Sequence, residues 1–118
     1  MSVSRRAWPI SFPQIREPWV PPVDVYRACK GWILKFDLAG VQVRDVTVSV
    51  SGRRISISGV RRDSIVEEGC SYYSMEISYD RFERTVEMPS RLDNARVTME
   101  ARDGILLVRV ITEGNQNG

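Results

Sequence analysis

Histidine is absent from all 118 residues, which removes the commonest general base and the commonest zinc or iron ligand. Cysteine occurs only as Cys29 and Cys70. Their spacing matches no metal motif, and two thiols are too few for the disulfide framework of a small secreted domain. No glycine-rich loop opens a helix, so neither a phosphate cradle nor a dinucleotide fingerprint is present. The serines have no histidine partner and no G-x-S-x-G context. Carboxylates could still pair for acid–base work, but here they stand mostly at strand ends and at positions facing solvent. An enzyme is therefore not expected, and neither a metal nor another cofactor is implied.

Charge of one sign is also missing. Lys+Arg total 17 against 15 Asp+Glu, a net charge of +2, and the arginines are interleaved with acids rather than blocked together. That pattern reads as a solvated surface, so no nucleic acid or nucleotide partner is expected. No apolar run reaches membrane-spanning length, and the first thirty residues hold no unbroken apolar segment of the secretory kind. Residence in the cytoplasm with both thiols reduced is the expectation, with no membrane partner. No segment keeps a helical period, which argues against an α-rich fold.

What remains is one domain with tails. A chain of this length can bury roughly two-thirds of its unfolded surface without staples, and a 42% hydrophobic content supplies the core. Residues 1–21 read as a flexible N-terminal arm. Pro9, Pro13, Pro18 and Pro21 fall there, and prolines at this density block both helix and central strand. Yet Trp8, Ile10, Phe12, Ile15 and Trp19 lie among them. Disordered tails tend to be poor in aromatics, so the arm is expected to be adhesive. Residues 112–118 read as a short polar tail.

Residues 22–111 carry a period of two. Val23 to Tyr26 forms a short strand, and Trp32, Leu34, Phe36 and Leu38 line one face of the next. Val46, Val48 and Val50 follow, then a turn at Ser51-Gly52 and a strand with Ile55 and Ile57 inward, ended by Gly59. Residues 60–74 are irregular, and a loop of this length is usually functional or pairs elsewhere. A strand is expected again from Glu76 to Tyr79, continuing from Phe82 to Met88 and stopped by Pro89. Asp103-Gly104 between two alternating runs predicts a tight hairpin, because both residues tolerate the positive φ such turns need. Val97, Met99 and Ala101 line one arm of it, and Leu106, Val108 and Val110 the other. Short strands with turn signals at this spacing predict an all-β antiparallel sandwich.

Arg84 shares the face of Phe82, Val86 and Met88. A guanidinium aimed among apolar side chains needs a carboxylate or backbone carbonyls; Glu76, Asp80 or an acid of another subunit could serve. Alternatively, an edge position would let Arg84 bend into water over its own stem.

In order and spacing, these stretches resemble the α-crystallin domain of the small heat-shock proteins, of the bacterial and plant type. The matching pieces are Pro22-Val23-Asp24-Val25-Tyr26, Leu38-Ala39-Gly40-Val41 and Ile55-Ser56-Ile57-Ser58-Gly59-Val60-Arg61. Glu76 and Tyr79 follow, then Phe82-Glu83-Arg84 with Met88-Pro89, then Ala101 with Asp103-Gly104-Ile105-Leu106. The resemblance implies an immunoglobulin-like β-sandwich that forms a homodimer by lending a strand of the long loop to a partner's first strand. On this chain the lent strand would hold Cys70, Tyr72 and Tyr73, and the receiving strand Val23, Val25 and Tyr26. Arg84 would be the interface arginine. An apolar groove would lie between Val46, Val48 and Val50 on one side and Val97 and Met99 on the other.

The resemblance further implies an ATP-independent holdase chaperone that binds partly unfolded client proteins, with the arm as its variable N-terminal region. Two departures stand out. The stretch after the last strand carries no I-x-I motif, so a dimer or a small higher oligomer is expected rather than a large shell. Asp80 stands where a glycine is usual, and Ile77 where an arginine is common. Two other readings compete: a co-chaperone adaptor of the CS-domain kind, which binds one folded partner and lacks the lent loop, and a nucleic-acid binder acting through its arginines. A steep salt dependence of binding would mark the last.

Overall fold

Strand follows alternation almost everywhere that the side chains alternate. The computed structural model describes residues 17–112. Seven strands run in chain order: β1 (Val23–Ala28), β2 (Gly31–Asp37), β3 (Val46–Ser51), β4 (Arg54–Arg61), β5 (Asp80–Glu87), β6 (Arg96–Arg102) and β7 (Ile105–Ile111). Among the described residues the only helical element is a single 3-10 turn, Val43–Asp45, ahead of β3. The strands form two antiparallel sheets, ordered β1-β2-β7-β6 and β3-β4-β5.

The inner faces meet in one core. Leu34 and Phe36 of β2, Ile55 and Ile57 of β4, and Val108 and Val110 of β7 are fully buried. Phe82, Met88 and Leu92 close it from the β5 side. These are the odd or even members of each run, as a two-residue period requires. No buried side chain among the described residues is polar or charged, so shape rather than hydrogen bonding sets the sandwich interior.

The final hairpin forms as its residues predict. Arg102 pairs with Ile105, leaving Asp103 and Gly104 as a two-residue turn with φ of 53° and 82°. That is the doubly left-handed turn which matches strand twist. Asp80 is the less expected case. It opens β5 at φ 68°, so the geometry for which glycine is best suited is retained and an aspartate carries it, as its short polar side chain permits.

Two expectations are corrected. Gly59 does not end its strand: β4 runs on to Arg61, pairing Gly59 with Phe82 and Arg61 with Asp80. The absent side chain serves a close approach instead, because a Cβ there would overlap both the Asp45 carbonyl and the Phe82 ring. Glu76 to Tyr79 is not a strand either. β4 stops at Arg61, so among the described residues no strand pairs with the residues before Asp80. Residues 62–79 therefore leave the sandwich as a long connection containing one turn, where the Cys70 amide donates to the Glu67 carbonyl at 3.2 Å.

Candidate interaction surfaces

β1 is an outer strand, hydrogen-bonded only to β2. Val25 pairs with Leu34 and so faces inward. Leu34 is fully buried while Val25 remains 42% exposed, and Tyr26 on the other face is 45% exposed. The inner face of β1 is thus covered at Val23, which packs against the core, and open at Val25, and the free N–H and C=O groups of its outer edge form a template for another strand. The connection 62–79 carries the complementary feature. Tyr73 is 100% exposed and Ile65 91%, with Tyr72, Met75 and Ile77 also largely in water. Tyr73, Met75 and Ile77 alternate with Ser74 and Glu76, a strand pattern without a strand partner among the described residues. Cys70 is exposed in this connection, and Cys29 is exposed at the turn joining β1 to β2.

Trp8, Ile10, Phe12 and Ile15 lie outside the described residues, as does the tail beyond Thr112. Trp19, placed in the flexible arm by its proline context, is held by the sandwich. Its amide donates to the Arg81 carbonyl at 3.1 Å and its carbonyl accepts from the Glu83 amide at 3.0 Å, a parallel bridge opposite Phe82 on the outer edge of β5. The indole lies 5.4 Å from the Phe82 ring, centroid to centroid, and its Nε1 donates to the Asp80 carbonyl at 3.3 Å. Pro21 is fully buried. This strap covers the β5 edge, which would otherwise be open to pairing. Proline on both sides prevents a longer strand there but not one bridge.

Arg84 resolves onto the same strap. It is half-buried between Phe82 and Met88, and its Nη1 donates to the Pro21 carbonyl at 3.1 Å. Of the two kinds of partner its position demanded, a backbone carbonyl is the one it finds among the described residues. Arg61 is the residue that the residue-by-residue reading passed over. Its Nε donates to the Ser78 carbonyl at 2.9 Å and its Nη1 to the Ala39 carbonyl at 3.1 Å. Its guanidinium lies 4.2 Å from the Trp19 ring centroid and 5.7 Å from that of Tyr79. The signal was parity: Arg61 follows Ile55, Ile57 and Gly59 in steps of two, an inward position like that of Arg84.

β3 and β6 are the outer strands of opposite sheets, and the 3-10 turn leading into β3 packs against β6. Val46 is buried, and Val48, Val50, Val97 and Met99 are half-buried against the core. The structure therefore brings these five residues to one side of the sandwich.

Charge on the surface is paired locally. Arg62 binds Asp45 through two hydrogen bonds of 3.2 and 3.1 Å, and this bonding holds the Asp45 carboxyl below the usual range. Glu100 receives Arg102 at 2.7 Å and Arg109 at 2.6 Å, with the same downward effect led by Arg102. Among the described residues no three metal-ligating side chains cluster, and no helix is long and apolar enough to cross a membrane.

Comparison with known proteins gives one answer. Residues 24–117 match the sequence model of the Hsp20/alpha crystallin family. Spore protein SP21 of Stigmatella aurantiaca is 33% identical over 88 residues, covering 75% of this chain and 52% of that protein. The solved structure of hspA from Xanthomonas axonopodis is similar with a TM-score of 0.65 at 28% identity, over 80% of this chain and 95% of that one. Heat shock protein 16.0 from Schizosaccharomyces pombe has a TM-score of 0.66 at 26% identity, over 78% and 86% respectively. The chain spans about half the length of the curated relatives it matches.

Proposed function

The chain belongs to the Hsp20/alpha crystallin family, and on that premise we propose that it is an ATP-independent holdase that captures partly unfolded proteins on exposed apolar surface. The observation that supports this most is the pairing of an uncovered edge strand, β1, with an apolar connection at 62–79 that its own chain leaves in water. Burying a large apolar side chain stabilises by about 1.5–3 kcal/mol, so Tyr72, Tyr73, Met75 and Ile77 have a strong drive to be covered. A second copy supplies the place. The segment containing Cys70, Tyr72 and Tyr73 of one subunit would add to Val23, Val25 and Tyr26 of its partner, and the exchange would be reciprocal.

Client capture follows from what the dimer leaves uncovered. The arm residues Trp8, Ile10, Phe12 and Ile15, together with the groove of Val46, Val48, Val50, Val97 and Met99, would form the adhesive surface. No chemical step is needed, because capture and release are reversible burial of apolar area.

Light scattering from a heat-labile client protein, with the chain added at equimolar ratio, tests the reading. The expected result is suppression of scattering that is the same with and without ATP, and lost when residues 1–16 are deleted while the circular dichroism spectrum is kept. Unchanged scattering in the presence of the intact chain would sink the holdase reading. Suppression that survives the deletion would move client capture from the arm to the groove.

A further inference from the structure

We infer that Arg61 is a positioning residue that clasps the N-terminal strap and the root of the 62–79 connection together, so that loosening one loosens the other. The proposal rests on the reading of 62–79 as the segment lent to a partner. It is carried by four contacts of one side chain, two with backbone carbonyls and two with aromatic rings, on three separate pieces of the chain. Ala39 belongs to the link between β2 and β3, Ser78 and Tyr79 to the return of the long connection, and Trp19 to the strap.

The physical logic lies in the shape of the group. A guanidinium is planar, with donors in a fixed fork, so its hydrogen bonds set the plane that it offers to an aromatic ring. The bonds to Ser78 and Ala39 fix that plane, and the fixed plane lies over the Trp19 indole. When Ser78 and Tyr79 shift, Arg61 loses one acceptor and one ring and is free to rotate away from Trp19. The strap then keeps its bridge to β5 and the Asp80 contact but loses the guanidinium cover. In reverse, loss of the Trp19 ring leaves Arg61 less constrained at the root of the connection. Arg62 does not share this role, since its bidentate bond goes to the Asp45 carboxylate.

The consequence is a link between assembly and the strap. The clasp is already closed in the single chain, and a partner that takes up the connection would hold Ser78 and Tyr79, and through Arg61 the strap, more firmly. When subunits part, that added hold is lost from the root and from the strap alike. Reciprocity requires that release of Trp19 from the clasp loosen the subunit exchange in turn.

Hydrogen–deuterium exchange on the full chain tests it. Two readouts are followed: the Glu83 amide, which donates to Trp19, and the segment 76–81. Tyr79→Ala should speed exchange at Glu83, and Trp19→Ala should speed exchange across 76–81, each by about fivefold, the low end of site-to-site coupling. In an Arg61→Met background, which keeps the stem and removes the fork, the Tyr79 effect on Glu83 should vanish, and the Trp19 effect on 76–81 should shrink to what its own contacts with Asp80 and Arg81 carry. Should Arg61→Met fail to fold by circular dichroism, Arg61→Lys replaces it. One ammonium cannot hold both carbonyls while covering the ring, so the cross-effects should again shrink. Cross-effects missing from the native background would overturn the clasp, as would cross-effects that persist at full size without the fork. A strictly monomeric mass with the cross-effects intact would reject strand lending and leave the clasp standing.

Discussion

At the scale of single residues, backbone geometry and ion pairs give the clearest expectations. Asp80 holds a left-handed φ of 68°, which penalises every residue with a Cβ. Asp80→Gly should raise stability by about 1 kcal/mol in urea unfolding; no gain would mean that the aspartate side chain compensates locally. Gly59→Ala should do the opposite, since its Cβ would meet the Asp45 carbonyl and the Phe82 ring, and overpacking costs about 1–3 kcal/mol or more. Asp45 gives a pH test. Its carboxyl is lowered in the folded state, first by the Arg62 hydrogen bond. A depressed folded pKa contributes stability above the unfolded value and loses it as pH falls through the folded one. Asp45→Asn should therefore unfold at lower urea than the native chain at neutral pH, and the two midpoints should converge under acid. A gap that stays constant with pH would show that the pair does not act through charge.

At the scale of elements, the strap and the long connection decide what the sandwich can do. Trp19→Ala removes a half-buried indole from Phe82 and Arg61. Core tryptophan truncations cost about 3–5 kcal/mol, so this partly exposed one should cost about 2 kcal/mol, read from the urea midpoint. Tyr72→Asp with Tyr73→Asp should leave the spectrum of the fold intact, because both rings stand in water in the single chain. The same pair should halve the mass measured by light scattering, because charge would have to be buried against β1 of a partner. A mass unchanged by both substitutions would place the subunit contact elsewhere. The strands themselves were legible from alternation, and Asp103-Gly104 from turn chemistry. Trp19 was not: prolines on both sides describe a segment that cannot extend a sheet, and nothing local says that one residue will bridge to β5, 63 positions away from its ring partner Phe82.

At the scale of the whole molecule, near-neutral charge and an apolar division of labour set the expected solution behaviour. With a net charge of +2 and local ion pairs across the surface, capture should depend on apolar burial rather than on long-range fields. Raising salt from about 50 to about 500 mM shortens screening from beyond 10 Å to a few ångströms. Client suppression should persist through that range; a steep fall would favour an arginine-driven contact. Val46, Val48, Val50, Val97 and Met99 were legible as inward positions of two separate strands, but that they share one side needed the sandwich, because β3 and β6 belong to different sheets.

What the order of residues determined by itself was the all-β class, the position of most strands, the face each one buries and the turn at Asp103-Gly104. All of these depend on neighbours one to four positions apart. Only the tertiary structure decided that Trp19 is an anchor, that Arg61 and Arg84 point their charges at backbone carbonyls, and that 76–79 stays unpaired. The reason is physical: a hydrogen bond or a buried ring is completed by a group far along the chain, and a strand exists only where another edge is within reach to receive it.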